Sequence, residues 1–150
     1  MIYLVGSLRN PRVPAVAARL RDHGHLVFDD WYAAGPEADD RWRDYERGRQ
    51  HSLAQALSGK AAQHVFAFDH KYLQLAETVV MLMPAGKSGH LELGWALGQG
   101  KRGYILFEEE PERYDVMWAF ATGVCTKVEN LIDRLRRDTW HREKQCMEQQ

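Results

Sequence analysis

Thr78-Val79-Val80-Met81-Leu82-Met83, then Ser88-Gly89-His90-Leu91-Glu92-Leu93-Gly94-Trp95-Ala96-Leu97-Gly98, then Gly103-Tyr104-Ile105-Leu106-Phe107 together decide the fold. The first run is short and continuously apolar, as in a strand buried on both faces of a parallel sheet. The third is a second β-like run, so the segment between them reads as the crossover helix of a βαβ unit. This places Glu92 at the opening of a helix, just beyond the carboxyl end of a strand. Open α/β sheets hold their ligands at that edge. A carboxylate flanked by Leu91 and Leu93 in such a crevice is a candidate catalytic group.

Working outward, the amino-terminal part repeats the strand, turn, helix and strand pattern. Ile2-Tyr3-Leu4-Val5 is a strand and Gly6-Ser7-Leu8-Arg9-Asn10 a turn. Residues 14–22 form a helix, with Pro14 suited to the first turn, Val16, Ala17 and Leu20 on its apolar face, and Gly24 marking its end. Leu26-Val27-Phe28 is the next strand, with Asp29-Asp30-Trp31 at its carboxyl end. Residues 33–48 read as a partly helical, polar excursion over the crevice carrying Trp42 and Tyr45. A helix is expected over 49–63 with Leu53, Ala54, Ala56 and Leu57 inside, and a short one over 69–76.

After Phe107, Glu108-Glu109-Glu110-Pro111-Glu112 is a surface loop. A short amphipathic helix over 114–120, a last strand over 124–128 and a closing helix over 129–137 complete the domain. Residues 1–140 are read as this domain, and 141–150 as a polar tail that frays. The alternation predicts an α/β three-layer sandwich, flavodoxin- or Rossmann-like, with a parallel sheet of about five strands.

Composition narrows the classes of function. The 150 residues are 45% hydrophobic and 27% charged, a globular balance. A formal net charge of −1 gives no electrostatic case for duplex nucleic acid. Cys125 and Cys146 are far apart and lack partners at metal-ligand spacing, which suits a reduced, cytoplasmic protein. The chain opens directly on a short strand, without the basic and longer apolar regions of a signal peptide. No apolar run approaches the ~20 residues needed to span a bilayer, so no membrane association is expected. His64, His70 and His90 do not read as a metal set.

Several groups remain that can carry chemistry. The Gly6-Ser7-Leu8-Arg9 turn can aim backbone N–H groups, a hydroxyl and a guanidinium at an anion, or can be glycine-containing for conformational reasons alone. Lys87, Ser88 and Gly89 form a second candidate anion site, with Ser88 also suited to capping the helix that bears Glu92. In a doubly wound sheet the two loops would converge. Asp69 is either a helix cap or a second carboxylate facing the crevice. Two carboxylates beside a C–N or C–O bond to a sugar can divide the work, one attacking the anomeric carbon and the other managing the leaving group's proton. Tyr3 is either core or a phenol that holds Glu92 in its attacking rotamer. Asp29, Asp30, Trp31 and Trp42 can close over a base, or simply pack. Asp115 and Met117 can reach a site in a neighbouring subunit.

The ordered set Ile2-Tyr3-Leu4, Gly6-Ser7-Leu8-Arg9, Asp69 with Leu73-Gln74-Leu75-Ala76, and Gly89-His90-Leu91-Glu92-Leu93-Gly94-Trp95-Ala96 resembles the nucleoside 2-deoxyribosyltransferase-like superfamily. The nearer branch is the 2'-deoxynucleoside 5'-monophosphate N-glycosidases. The resemblance implies a flavodoxin-like fold, no cofactor and cleavage of an N-glycosidic bond through a covalent deoxyribosyl intermediate. It makes Glu92 the nucleophile, Asp69 the acid/base and positioning carboxylate, and Tyr3 the residue near the sugar. Gly6, Ser7 and Arg9 become the phosphate-binding turn, with Ser88 and Gly89 as its second half, and a homodimer or higher oligomer is implied. Transferases acting on free nucleosides carry an Asp shortly before the nucleophile, where this chain has Ala85-Gly86-Lys87-Ser88. A cation and a hydroxyl there suit a phosphate better than a free 5'-hydroxyl. Competing readings are a transferase on free nucleosides, a glycohydrolase of NAD-like dinucleotides, and a nucleotide-binding sensor without turnover.

Overall fold

The computed structural model describes residues 1–148. Five strands, β1 (Ile2–Val5), β2 (Val27–Phe28), β3 (Thr78–Leu82), β4 (Arg102–Leu106) and β5 (Gly123–Cys125), form one sheet in the order β2-β1-β3-β4-β5. Every adjacent pair is parallel, with Tyr3 beside Phe28 on one side and Val79 on the other. Helices cover both faces, giving the three-layer Rossmann-like α/β architecture with the flavodoxin-like strand order. Among the described residues no helix is long and apolar enough to cross a membrane.

Strand alternation sorts the side chains into two cores. Ile2, Leu4, Val80, Leu82, Tyr104 and Leu106 face α1 (Val13–Asp22) and α6 (Val128–Glu148), meeting Val16, Leu20, Leu131 and Leu135. Tyr3, Val5, Val79, Met81 and Ile105 face the opposite layer, α4 (Lys60–Leu75) and α5 (Lys87–Gly98), meeting Leu73, Leu93 and Ala96. Pro14 lies in the first turn of α1, and Gly24, at φ +84°, follows the end of that helix. Tyr3 therefore reaches the α4 and α5 layer because its neighbours Ile2 and Leu4 reach the other one.

Between β2 and α4 the chain departs from expectation. Asp30–Ala34 is a 3-10 turn, and α2 (Ala38–Gly48) is a full helix, more regular than the partly helical excursion expected. The helix expected over 49–63 is broken twice. Gln50 takes φ +59°, and Ser52 with Gln55 forms a reciprocal capping box that starts a separate helix, α3 (Leu53–Leu57). Leu53 and Leu57 are 72% and 57% exposed, so only Ala56 of the expected apolar set is buried. Gly59 then caps α4, which runs to Leu75 with no Gly or Pro to interrupt it. Asp69 consequently lies within α4 and not at a helix start, so it is no N-cap.

Smaller differences follow from local signals. Glu92 is in the second turn of α5, one turn deeper than expected, and the N-cap is Gly86 in place of Ser88. The expected helix over 114–120 is a 3-10 turn, Val116–Phe120, capped by the Asp115 carboxylate. β5 is confined to Gly123–Cys125, and α6 continues through the stretch read as a fraying tail as far as Glu148. Gln149 and Gln150 lie outside the described residues. Cys125 is a buried free thiol, whereas the side chain of Cys146 lies outside what is described.

Candidate active site

In this strand order the connections leave β1 and β3 in opposite directions, which opens a crevice at their carboxyl ends. Tyr3 rises from β1 into the layer occupied by α4 and α5, fully buried. Its phenol donates a hydrogen bond to Glu92 Oε1 at 3.2 Å. The ring is held from behind by an aromatic column, stacking on Phe28 at 5.1 Å between centroids, with Phe28 in turn on Tyr72 at 4.1 Å. Phe28 is itself held between Tyr3 and Tyr72, so the fully buried Tyr3 ring rests on a fixed support and its hydroxyl has little freedom.

Burial pushes the Glu92 carboxyl up to about 7, with the Asp69 charge adding to the rise and the Tyr3 hydrogen bond opposing it. Burial also raises Asp69 above the usual carboxylate range. The Tyr3 phenol is driven far upward, first by burial and then by the charges of Glu92 and Asp69, so it stays a donor throughout the physiological range. Three acidic groups thus share one desolvated place and cannot all ionise together. Asp69 Oδ1 is buried and has no hydrogen-bond partner among the described residues. Such an atom fits a carboxyl that exchanges a proton with a bound molecule, although a buried polar atom without a partner is itself costly.

Glycine lets this site form. A Cβ at Gly89 would lie 2.9 Å from Val5 Cγ1 and 3.2 Å from Ala85 Cβ, so its absence lets α5 press onto β1 and bring Glu92 within reach of Tyr3. The turn after β1 is similarly tight. A Cβ at Gly6 would meet Val13 Cγ2 at 3.0 Å and the Trp31 ring at 3.5 Å. Ser7 Oγ accepts the Arg9 N–H at 3.2 Å, and the Ser7 carbonyl accepts the Asn10 N–H at 2.9 Å. Arg9 reaches outward to Asp40 on α2, an exposed ion pair that Asp40 shares with Arg43.

Gly89, in the second candidate anion loop, packs on Val5, the residue just before the Gly6 turn. Buried Asn10 and half-exposed Arg12, just before α1, both donate to the carbonyl of Met83, the residue after β3, at 3.5 Å and 2.8 Å. Lys87 and Ser88 follow as exposed residues in the first turn of α5, whose N-cap Gly86 supplies no side-chain cap. The leading amides of α5 are thus left without a side-chain cap, the condition in which a helix start can take an anion.

The remaining expected residues lie elsewhere. Trp31 donates its indole N–H to the Leu4 carbonyl at 2.8 Å and packs against both cores, so much of its bulk closes the end of β1. Asp30 is exposed in the neighbouring 3-10 turn. Met117, 59% exposed, lines a groove of about 590 Å³ with Asp115, His90, Gly94 and Phe120. None of Tyr3, Asp69 and Glu92 lines that groove. Sequence reasoning missed Asn10, Arg12, Phe28 and Tyr72 as supports of the site. Asn10-Pro11 is a turn signal that hinted at the first two, whereas the aromatic column needed the packing of β2 against α4. No family model matches this chain, and no curated protein matches it.

Proposed function

We propose that this chain cleaves, or transfers, the N-glycosidic bond of deoxynucleoside 5'-monophosphates. The observation that carries the reading is the Tyr3–Glu92 hydrogen bond at the β1 and β3 crevice, where a desolvated carboxylate is held by a phenol that does not ionise. Desolvation leaves the ionised form of Glu92 a strong nucleophile, and Tyr3 fixes its rotamer. One Glu92 oxygen attacks C1' of the deoxyribose as the C1'–N bond breaks. The bond's electron pair goes to the base nitrogen, which takes a proton from the Asp69 carboxyl, directly or through water. Water then attacks C1', the bond from C1' to the Glu92 oxygen breaks, and Asp69 recovers a proton from that water. A second base in place of water makes the same site a transferase.

The reading assigns the substrate's 5'-phosphate to the Gly6, Ser7 and Arg9 turn with Lys87, Ser88 and Gly89, and what supports it is the packing of Gly89 on Val5 beside that turn and the absence of a side-chain cap on α5. The reading assigns the base to Asp30 and Trp31, in the 3-10 turn after β2. Met117 belongs to a second surface, which the reading assigns to a neighbouring copy in a homodimer or higher oligomer. A cytoplasmic location completes the reading, since nucleotide monophosphates and a reduced Cys125 belong there. No cofactor is needed for the two steps. The test is incubation with each deoxynucleoside, deoxynucleotide and ribonucleotide, with chromatography of released bases. Base release from one or more deoxynucleotides, abolished in Glu92→Ala, is the expected result. Release unchanged in Glu92→Ala overturns the assignment.

A further inference from the structure

Arg12 is committed to two fixed partners at the carboxyl edge of the sheet. One guanidinium nitrogen donates to the Met83 carbonyl at 2.8 Å, and the other lies 2.8 Å from Glu108 Oε2. Met83 ends the run of β3, and its own N–H bonds the Leu106 carbonyl of β4 at 2.8 Å. Glu108 follows β4 in the left-handed region, at φ +66°; its Oε2 is buried and accepts no hydrogen bond among the described residues, so its tie to Arg12 is an ion pair. The backbone N–H of Arg12 bonds Asn10 Oδ1 at 3.1 Å, and Asn10 itself reaches the same Met83 carbonyl. One side chain at the start of α1 thereby ties together the exits of β1, β3 and β4. A planar fork with donors on both arms can do this, whereas a single ammonium cannot span both acceptors.

We propose that Arg12 is a positioning residue for the anion-binding half of the site. It holds Met83, and with it the chain leading into α5, against the start of α1, and so sets affinity for the substrate's 5'-phosphate without touching it. The inference rests on the nucleotide reading above. Arg9 contrasts with it, since its guanidinium is exposed and pairs with Asp40 on α2, away from the ends of β3 and β4.

The test compares wild type with Arg12→Met and Arg12→Lys, using amide hydrogen exchange over 84–90, calorimetric titration with inorganic phosphate, and base release. In Arg12→Met the 84–90 amides exchange about tenfold faster while the sheet amides keep their protection. The dissociation constant for inorganic phosphate and the KM for the deoxynucleoside monophosphate rise about tenfold or more, and the KM for the matching free deoxynucleoside stays level. Arg12→Lys recovers part of each effect and carries the test if Arg12→Met does not fold. Unchanged exchange over 84–90 overturns the inference. So does an equal loss for phosphorylated and free substrates, or a wild-type protein that does not bind phosphate. If wild type binds phosphate yet releases no base, the glycosidase reading fails. The exchange and phosphate arms then still decide the role of Arg12.

Discussion

The phenol of Tyr3 and the carboxylate of Glu92 are 89 positions apart in the chain and 3.2 Å apart in space. Their hydrogen bond works against burial, which otherwise raises Glu92 to about 7. Removing the hydroxyl in Tyr3→Phe is expected to raise Glu92 further. The rising limb of the kcat/KM pH profile then moves to higher pH, and base release at neutral pH falls on the order of tenfold for each unit moved. An unmoved limb in Tyr3→Phe separates the phenol from the ionisation of Glu92.

Asp69 acts on the same carboxylate with the opposite sign. In its ionised form Asp69 raises Glu92, so Asp69→Asn, which cannot ionise, moves the rising limb to lower pH. The same variant loses the group that handles the leaving base's proton, and its plateau rate falls by about 10²–10⁴. Steady-state profiles of the two variants, displaced in opposite directions from wild type, check both statements.

Glu92 also carries a stability cost. Its folded-state value, about 7, lies above the ordinary 4.5 of an unfolded-state glutamate, so the protonated form is the one folding favours. This contribution is fully present below about pH 4.5 and is lost as pH rises through about 7. Glu92→Gln, which keeps the shape without the charge, is expected to be more stable than wild type above pH 7, by up to a few kcal/mol. The advantage disappears near pH 4. Urea unfolding of both proteins at pH 4.5 and pH 8 measures the difference.

Gly89 is the packing counterpart of that pair. Gly89→Ala puts a methyl group 2.9 Å from Val5 Cγ1, closer than packed carbons tolerate, and α5 must move outward. A cost of about 1–3 kcal/mol and a lower Tm are expected, as for other overpacked interiors. The Tyr3–Glu92 contact lengthens with the helix, so kcat falls more than the loss of folded protein explains. Denaturant melts alongside kcat on the folded fraction distinguish the two effects.

The βαβ unit around Ser88–Gly98 was legible because its information is local. A continuously apolar strand and a helix of fitting length define it, and repetition of that unit predicts a parallel sheet. Tyr3, Glu92 and the Gly6 turn could be named because strand ends are where such a sheet holds ligands. Asp69 was named as a candidate, yet as the head of a short helix. Its true setting depends on Gly59 capping a helix that runs unbroken to Leu75. The capping box of Ser52 and Gln55 was a readable signal that the apolar spacing of Leu53 and Leu57 obscured.

The sequence by itself determined the alternation of strands and helices, the two buried faces and the chemical types available at the sheet's edge. These follow from periodicity, turn residues and the polarity of single positions. Only the tertiary structure decided how those types act together. It raised Glu92, left an Asp69 oxygen without a hydrogen-bond partner among the described residues, stacked Phe28 and Tyr72 behind Tyr3, and tied the start of α1 to the end of β3 through Arg12 on the Met83 carbonyl. The reason is physical. Ionisation and orientation depend on desolvation and on neighbours that are distant in the chain, and both exist only once the sheet has brought β1 beside β3.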